Sequence, residues 1–397
     1  MANPQSFNTF VGENSNVRDV AEDMLYLDEN RTVLYTLTNA AKRKKNATSP
    51  RIEWFEENDL GMIGTVSNGT TAYASASTGI FVTDVTLFGV NDMVQVARSV
   101  GTNSQQGEFI LVTAVSGTTN GTLTVTRAFA GSTADTIGAT NVLKILGVTT
   151  TENGSIDNPR VPLRANKTSG CQIFEWPIQI TRTGKATKVY TAPDGDRADK
   201  QTLGMRRQKL EIENAGLFGR FSETLSSPGS RWTSMGVRSI IASNVTDAGG
   251  TLTYQTVLQF SRLAFRYGAS EKLLMAAPIV KEGLDFTAGN KIQQQAGATV
   301  HGVQLKRYLT PNGTWNLATN YNMDTNSDLG DEAIGVDLAS ITYCPLVNNG
   351  ENLDTKIYQD YDTTNPKIVK DLVFTQAGWR IRHEARHARL YDVTTYA

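Results

Sequence analysis

The chain has 397 residues, with 38 Lys+Arg against 39 Asp+Glu and a formal net charge of −1. That length allows two or three domains and a substantial core, and the charge balance excludes a polycation built to coat nucleic acid. Two cysteines, Cys171 and Cys344, are too few for a disulfide scaffold and have no metal-ligand spacing, so both are read as ordinary buried or half-buried thiols.

The opening residues, MANPQSFNTFVGENSNVRD, contain no basic region leading into an apolar run, and no stretch is apolar for long enough to span a bilayer. A soluble intracellular product is expected. The first element is an arm helix, with Ser15 or Asn16 as N-cap and Val17, Val20, Ala21, Met24 and Leu25 at helical spacing. A basic run follows, Lys42, Arg43, Lys44 and Lys45. The segment IEWFEENDLG then brings Glu53, Glu56, Glu57 and Asp59. In a lone domain both charge runs are solvated surface; in an assembly the basic run of one subunit faces the acidic run of the next.

Residues 61–78 are rich in Gly, Ser, Thr and Ala and read as a linker. Beyond them GIFVTDVTLF, DMVQVARSV, GEFILVTAVSG, GTLTVTRAF and NVLKILGV are short, β-branched and separated by turn residues. This spacing predicts a small barrel or sandwich. A second loose stretch closes it, as in a domain inserted into another. CQIFEWPIQITRTG is an alternating strand, with Pro177 best placed on a sheet edge. The longest helix is expected from about Asp194 to Glu223, with Leu203, Leu210, Leu217, Phe218 and Phe221 as its apolar stripe and Gly204, Gly216 and Gly219 as weak points. The remainder reads as mixed α/β. TYQTVLQFSRLAFRYG and PIVKEGLDF are helices, while EKLLMAAP, ATVHGVQLKRYLT, GTWNLATNYNM and ASITYCPLV are strands.

One segment near the end invites a chemical reading. His383-Glu384-Ala385-Arg386-His387 matches the H-E-x-x-H pattern, which binds zinc when a helix puts both imidazoles on one face. The context alternates by twos from Trp379, placing Ile381, His383, Ala385 and His387 on one side of a strand. There the two histidines lie about 13 Å apart, too far for one zinc. The remaining histidine is His301, so a third ligand is also lacking. A basic strand or helix end is expected in place of a zinc protease. No phosphate loop, nucleophile elbow or Ca²⁺ loop is present; DTNSDLGDE at 324–332 comes nearest to the last. No catalytic, cofactor or metal site is expected.

The order of these elements resembles the major capsid proteins of tailed bacteriophages with the Hong Kong 97-type fold, in the subgroup carrying a β domain inserted in the extended loop. LYTLTNAAKRKKNATSPRIEWFEENDLG looks like the arm passing into the outward strand of that loop. VNDMVQV, EFILVTAVSG and LTVTRAFAGSTA resemble the inserted domain, and QIFEWPIQITRTGKATKVY the returning strand. Residues 194–223 look like the spine helix, and LVFTQAGWRIRHEARHARLYDV like the last long strand of the peripheral domain.

The resemblance implies an α+β fold divided as follows. Residues 1–48 form an N-terminal arm, 49–60 and 172–192 the extended-loop strands, and 61–171 linkers plus a β domain with its core at about 79–148. Residues 193–228 form the spine helix, 229–350 the axial domain, and 351–397 the return to the peripheral domain. It also implies a non-enzymatic role, in which copies tile an icosahedral head as hexamers and pentamers around double-stranded DNA. Scaffold, portal and decoration proteins are further candidate partners, and the setting is a virion assembled in a bacterial cytoplasm. The implied inter-subunit contacts involve Lys42, Arg43, Lys44, Lys45, Arg51, Trp54, Phe55, Glu56 and Glu57. Within the extended loop, residues 49–60 and 172–181 hold no lysine for the covalent cross-links some relatives use. Alternatives are an encapsulin-like bacterial shell protein, the zinc metalloprotease, and a tail or adhesion protein.

Overall fold

The structure, a computed structural model, describes residues 32–57, 61–97, 107–152, 164–187, 196–225, 229–288, 294–300, 303–323, 330–362 and 364–397. The expected arm helix, Asp59, His301 and residues 324–329 lie outside the described residues.

The first described elements are helix α1 (Val33–Ala40) and strand β1 (Arg51–Glu57). Six strands follow: β2 (Ile63–Thr65), β3 (Gly79–Val82), β4 (Asp92–Val96), β5 (Phe109–Gly117), β6 (Gly121–Thr126) and β7 (Val142–Val148). The chain returns through β8 (Arg164–Gly170), β9 (Gln172–Thr181) and the single turn α2 (Arg182–Ala186) into the longest helix, α3 (Asp196–Phe218). A hairpin, β10 (Ser222–Thr224) and β11 (Arg231–Thr233), leads to α4 (Val237–Ile240), β12 (Val245–Leu252), α5 (Tyr254–Ala264), β13 (Glu271–Ala276) and α6 (Pro278–Ala288). Next come β14 (Gln294–Val300), β15 (Val303–Thr310), β16 (Gly313–Thr319) and β17 (Ala333–Val336). The chain closes with β18 (Ile341–Pro345), β19 (Val347–Asn348), β20 (Glu351–Asn352), β21 (Lys356–Tyr358), β22 (Ile368–Ile381) and β23 (Ala388–Tyr396). The fold is α+β and mostly strand, in the order that the resemblance implies.

Two compact units result, Phe55–Ala165 and the remainder. In the first, the strands order as β2-β7-β4-β5-β6-β3. The sheet closes on itself, because Ser67 N–H donates to Phe81 O (2.9 Å) and Thr83 N–H to Thr65 O (3.0 Å). Closure removes the exposed sheet edges. Period-two alternation sends Ile80, Val94, Ile110, Val112, Leu123, Leu143 and Ile145 inward to form the core. Residues 61–78, expected as a linker, belong to this barrel: β2 is one of its strands, Val66 is buried, and Tyr73 pairs with Ile137. Small residues and threonines gave this stretch a linker composition, yet tertiary pairing holds it in the sheet.

The second unit holds two larger sheets. One orders as β12-β23-β17-β13-β16-β15-β14, and Val257 and Phe260 of α5 and Val280 and Leu284 of α6 are buried in the same core as its strands. In the other, β22 is central. β9 runs along one stretch of it from Ile368↔Thr181 to Ala377↔Gln172, and β21 and β18 also pair with it. Pro177 faces Leu372 in this ladder.

Helix α3 packs on β9 and β22, and the stripe read from the sequence is only partly right: Leu217 is buried and Phe218 packs against the core, but the face extends over other residues. Leu203 is 47% exposed, whereas Gly204, Gln208, Ile212, Ala215 and Gly216 are buried. The two glycines make room for indoles: a Cβ on Gly204 would lie 2.6 Å from Trp176 Cδ1, and one on Gly216 2.8 Å from Trp379 Cε2. Gln208 is tolerated in the core because its amide donates to the backbone O of Phe174 (2.7 Å) and of Val373 (3.2 Å). The helix start is tied to β22, with Arg197 gripping Asp371 through two bonds of 2.6 and 2.5 Å and Gln201 adding a third.

The terminal alternation also stops earlier than expected. β22 ends at Ile381, His383 takes a left-handed φ of 56°, and Glu384–Arg386 form a 3₁₀ turn. β23 then joins the seven-stranded sheet, so one apparent long strand is two strands in two sheets.

Candidate functional site

The residues expected at contacts fall on two short stretches. β1 pairs with β8 as a two-stranded ribbon, and its alternation is strict: Ile52, Trp54 and Glu56 are buried, and Arg51, Glu53, Phe55 and Glu57 are exposed. Ile52 and Trp54 pack with Ala47, Cys171 and Cys344 in a small cluster. On the other face Phe55 is 73% exposed, more than any other large hydrophobic among the described residues. Arg51 pairs with Glu53 (2.7 Å) and Glu223 (3.3 Å), and Glu57 with Arg164 (3.1 Å).

The basic run leaves α1 with Lys42 at a positive φ of 54° and lies beside β18. Tyr343 N–H donates to Arg43 O and Lys45 N–H to Tyr343 O, both at 3.0 Å. The Lys44 ammonium pairs with Asp354 of the same chain. Of the nine expected contact residues, then, Trp54 and Glu56 are enclosed by their own chain, and Lys44, Arg51 and Glu57 have partners within it. Phe55, Lys42, Arg43 and Lys45 present exposed side chains.

The H-E-x-x-H segment has a structural use. Glu384 Oε1 accepts the backbone N–H groups of Ala242 and Ser243, both at 2.7 Å, and Asn244 Nδ2 donates to Ala385 O and His387 O. His387 is fully buried, and burial lowers its pKa to about 4, keeping the ring neutral. A three-residue 3₁₀ turn cannot offer two imidazoles to one ion from a helical face, and no cluster of three metal-binding side chains occurs among the described residues. Cys171 and Cys344 are pushed up to about 12 and about 11 by burial, so neither carries a reactive thiolate at neutral pH.

Two charged residues matter more than the sequence suggests. Glu213 of α3 is fully buried and caps α1, accepting the N–H groups of Leu34 (2.8 Å) and Tyr35 (2.7 Å) and the Asn320 amide (3.2 Å). Lys272 of β13 is likewise buried and donates to Ala264 O, Tyr267 O and Arg386 O at 2.6–2.7 Å, closing the C-terminal end of α5. The backbone partners of Glu213 lie 178 and 179 positions away, so no local pattern reveals them, whereas Lys272 joins two acceptors within eight positions to a third 114 positions away.

None of the curated proteins matches the sequence. Among solved structures the chain is similar to the capsid of a native GTA particle computed with C5 symmetry, at 8% identity over 98% of this chain and 99% of that one, TM-score 0.48. Gordonia phage Cozz gives 8% identity over 100% of this chain and 98% of that one, TM-score 0.47. The holo-SrpI encapsulin complex of Synechococcus elongatus PCC 7942 gives 9% identity over 59% of this chain and 80% of that one, TM-score 0.43. The family model described as SU10 major capsid protein matches residues 3–394, almost the full sequence. The chain belongs to the SU10 major capsid protein family.

Proposed function

We propose that copies of the chain close into an icosahedral head as hexamers and pentamers, enclosing double-stranded DNA in a virion assembled in the bacterial cytoplasm. The match to a capsid family over residues 3–394 carries this reading. The role is mechanical and needs no active site. The inserted β domain lies outward on the shell or over a neighbouring copy, and scaffold, portal and decoration proteins are the further partners.

Inter-subunit contact falls to the exposed members of the expected set, Phe55 on the ribbon and Lys42, Arg43 and Lys45 beside β18. Repeated contacts of this kind let individually weak patches hold a closed assembly. The near-neutral charge of −1 suits a container, since a strongly basic lining grips DNA and hinders its entry and release. The purified chain, viewed by negative-stain electron microscopy, is expected to form closed particles or capsomer-sized rings. A homogeneous monomer that stays monomeric on concentration counts against the shell.

A further inference from the structure

The barrel has one face that its own folding does not explain. Inward residues Leu143 and Ile145 of β7 are buried, which accounts for them. The outward residues of the same strand are Val142, Lys144, Leu146 and Val148, and the adjoining β2 adds Ile63, with Met62 just before it. The five apolar members of this set are between 38% and 58% exposed. β6 in the same barrel shows what a solvent-facing side looks like: its outward positions are Thr122, Thr124 and Thr126. An aliphatic patch concentrated on two neighbouring strands marks a covered surface. Backbone pairing is not what covers it, because the barrel is closed between Thr65–Ser67 and Phe81–Thr83.

The pattern on this patch mirrors the outer face of β1. Lys144 is flanked by Val142 and Leu146 along its strand and by Ile63 across the ladder, and among the described residues it has no ion-pair partner. On β1 the order is inverted, with exposed Phe55 lying between Glu53 and Glu57. Strand geometry spaces Phe55 from Glu57 by about 7 Å, and Leu146 from Lys144 by the same about 7 Å. Phe55 and the exposed aliphatic Leu146 can therefore coincide while Glu57 meets Lys144. The Arg164–Glu57 pair is exposed and leaves the carboxylate free to bridge a second cation.

We propose that the outer face of β1 in one copy covers the outer face of β2 and β7 in a neighbouring copy. Phe55 packs between Ile63 and Leu146, and Glu57 faces Lys144. The inference rests on the shell reading above, and it names the surface that receives Phe55.

The test uses the full chain carrying both Phe55→Cys and Leu146→Cys, two exposed positions; native Cys171 and Cys344 are buried. Particles are separated by sedimentation and oxidised with copper phenanthroline. A ladder of covalent dimers and higher species is expected from the double variant, with the single variants staying monomeric on denaturing gels. Particles that give no ladder, or only an internally linked monomer, overturn the inference and leave the shell intact. An unmodified chain that forms no particles overturns the shell reading itself and the inference with it. Should the cysteine variants fail to assemble where the unmodified chain does, a charge exchange decides. Lys144→Glu is expected to cut the particle fraction severalfold and Glu57→Lys in the same chain to restore it. Equal particle yield in the two variants overturns the proposed pairing.

Discussion

Glu213 and His387 set opposing pH dependences. Burial raises the Glu213 carboxyl from 4.5 to about 7, against the lowering pull of the Tyr35 and Leu34 N–H groups and the Asn320 amide. Between those values the folded chain holds a proton that the unfolded chain has lost. Stability from Glu213 thus declines as pH rises through that window and is level above it. The buried His387 ring takes a proton only near pH 4 where the unfolded ring does so near 6.5, so its contribution is lost as pH falls from 6.5 to 4. Urea midpoints measured from pH 4 to 8 are expected to rise more steeply with pH in Glu213→Gln, which loses the declining component. In His387→Gln they are expected to fall. Removing the cap altogether with Glu213→Ala leaves α1 N–H groups unsatisfied and is expected to cost about 2–4 kcal/mol. Neither role was legible in the sequence: Glu213 reads as one more charge on an amphipathic helix, and His387 as half of a zinc motif. Both acquire their character from partners brought by tertiary folding.

At the level of elements, periodicity served well where one rule governed burial. The barrel strands alternate by twos, and α5 and α6 follow a 3.6-residue stripe, with Thr253 accepting the Thr256 N–H at the start of α5. It held only in part for α3, whose buried face adds Gly204, Gln208, Ala215 and Gly216 to the apolar Ile212 and Leu217. Leu203 points to solvent instead, because the space against β9 and β22 is taken by Trp176 and Trp379. The glycines that weaken the helix on paper are its packing surface. Replacing Gly204 or Gly216 by alanine raises helix propensity by about 1 kcal/mol but drives a methyl into an indole. Each change is expected to be net destabilising by about 1–3 kcal/mol in thermal or denaturant unfolding. In the barrel, Arg127 grips both oxygens of Glu108 at 2.7 Å and also binds Ala74 O and Ser77 O. Burial works to raise the Glu108 pKa, but Arg127 and the Ala128 and Asp135 N–H groups prevail and hold it below the usual range. Arg127→Met leaves that buried carboxylate unpaired and is expected to destabilise the barrel by about 3–5 kcal/mol, read as a drop in its unfolding midpoint.

For the molecule as a whole, the order of short β segments, long helix and mixed body was legible because each piece announces itself by length and pattern. The sequence reading grouped Trp54 and Phe55 together as contact residues; the alternation of β1 separates them, burying Trp54 in its own chain and leaving Phe55 exposed. The junction between units makes a direct prediction. β1 and β8 are already paired, and the Glu57–Arg164 ion pair joins the end of β1 to the start of β8, so residues 58–163 are expected to be dispensable to the rest. A chain in which they are replaced by an Asn-Gly turn is expected to keep its remaining fold, as judged by far-UV circular dichroism and a cooperative thermal transition. Loss of cooperative melting in that chain would show the two units to be interdependent.

The same ribbon has a consequence for engineering and for descent. Its two strands are hydrogen-bonded neighbours about 5 Å apart, so a cargo whose own ends lie that close is expected to graft there without reshaping the strands beneath. A lineage could gain, lose or exchange the domain in a single recombination event, and a designer could display a foreign epitope once per copy by the same route.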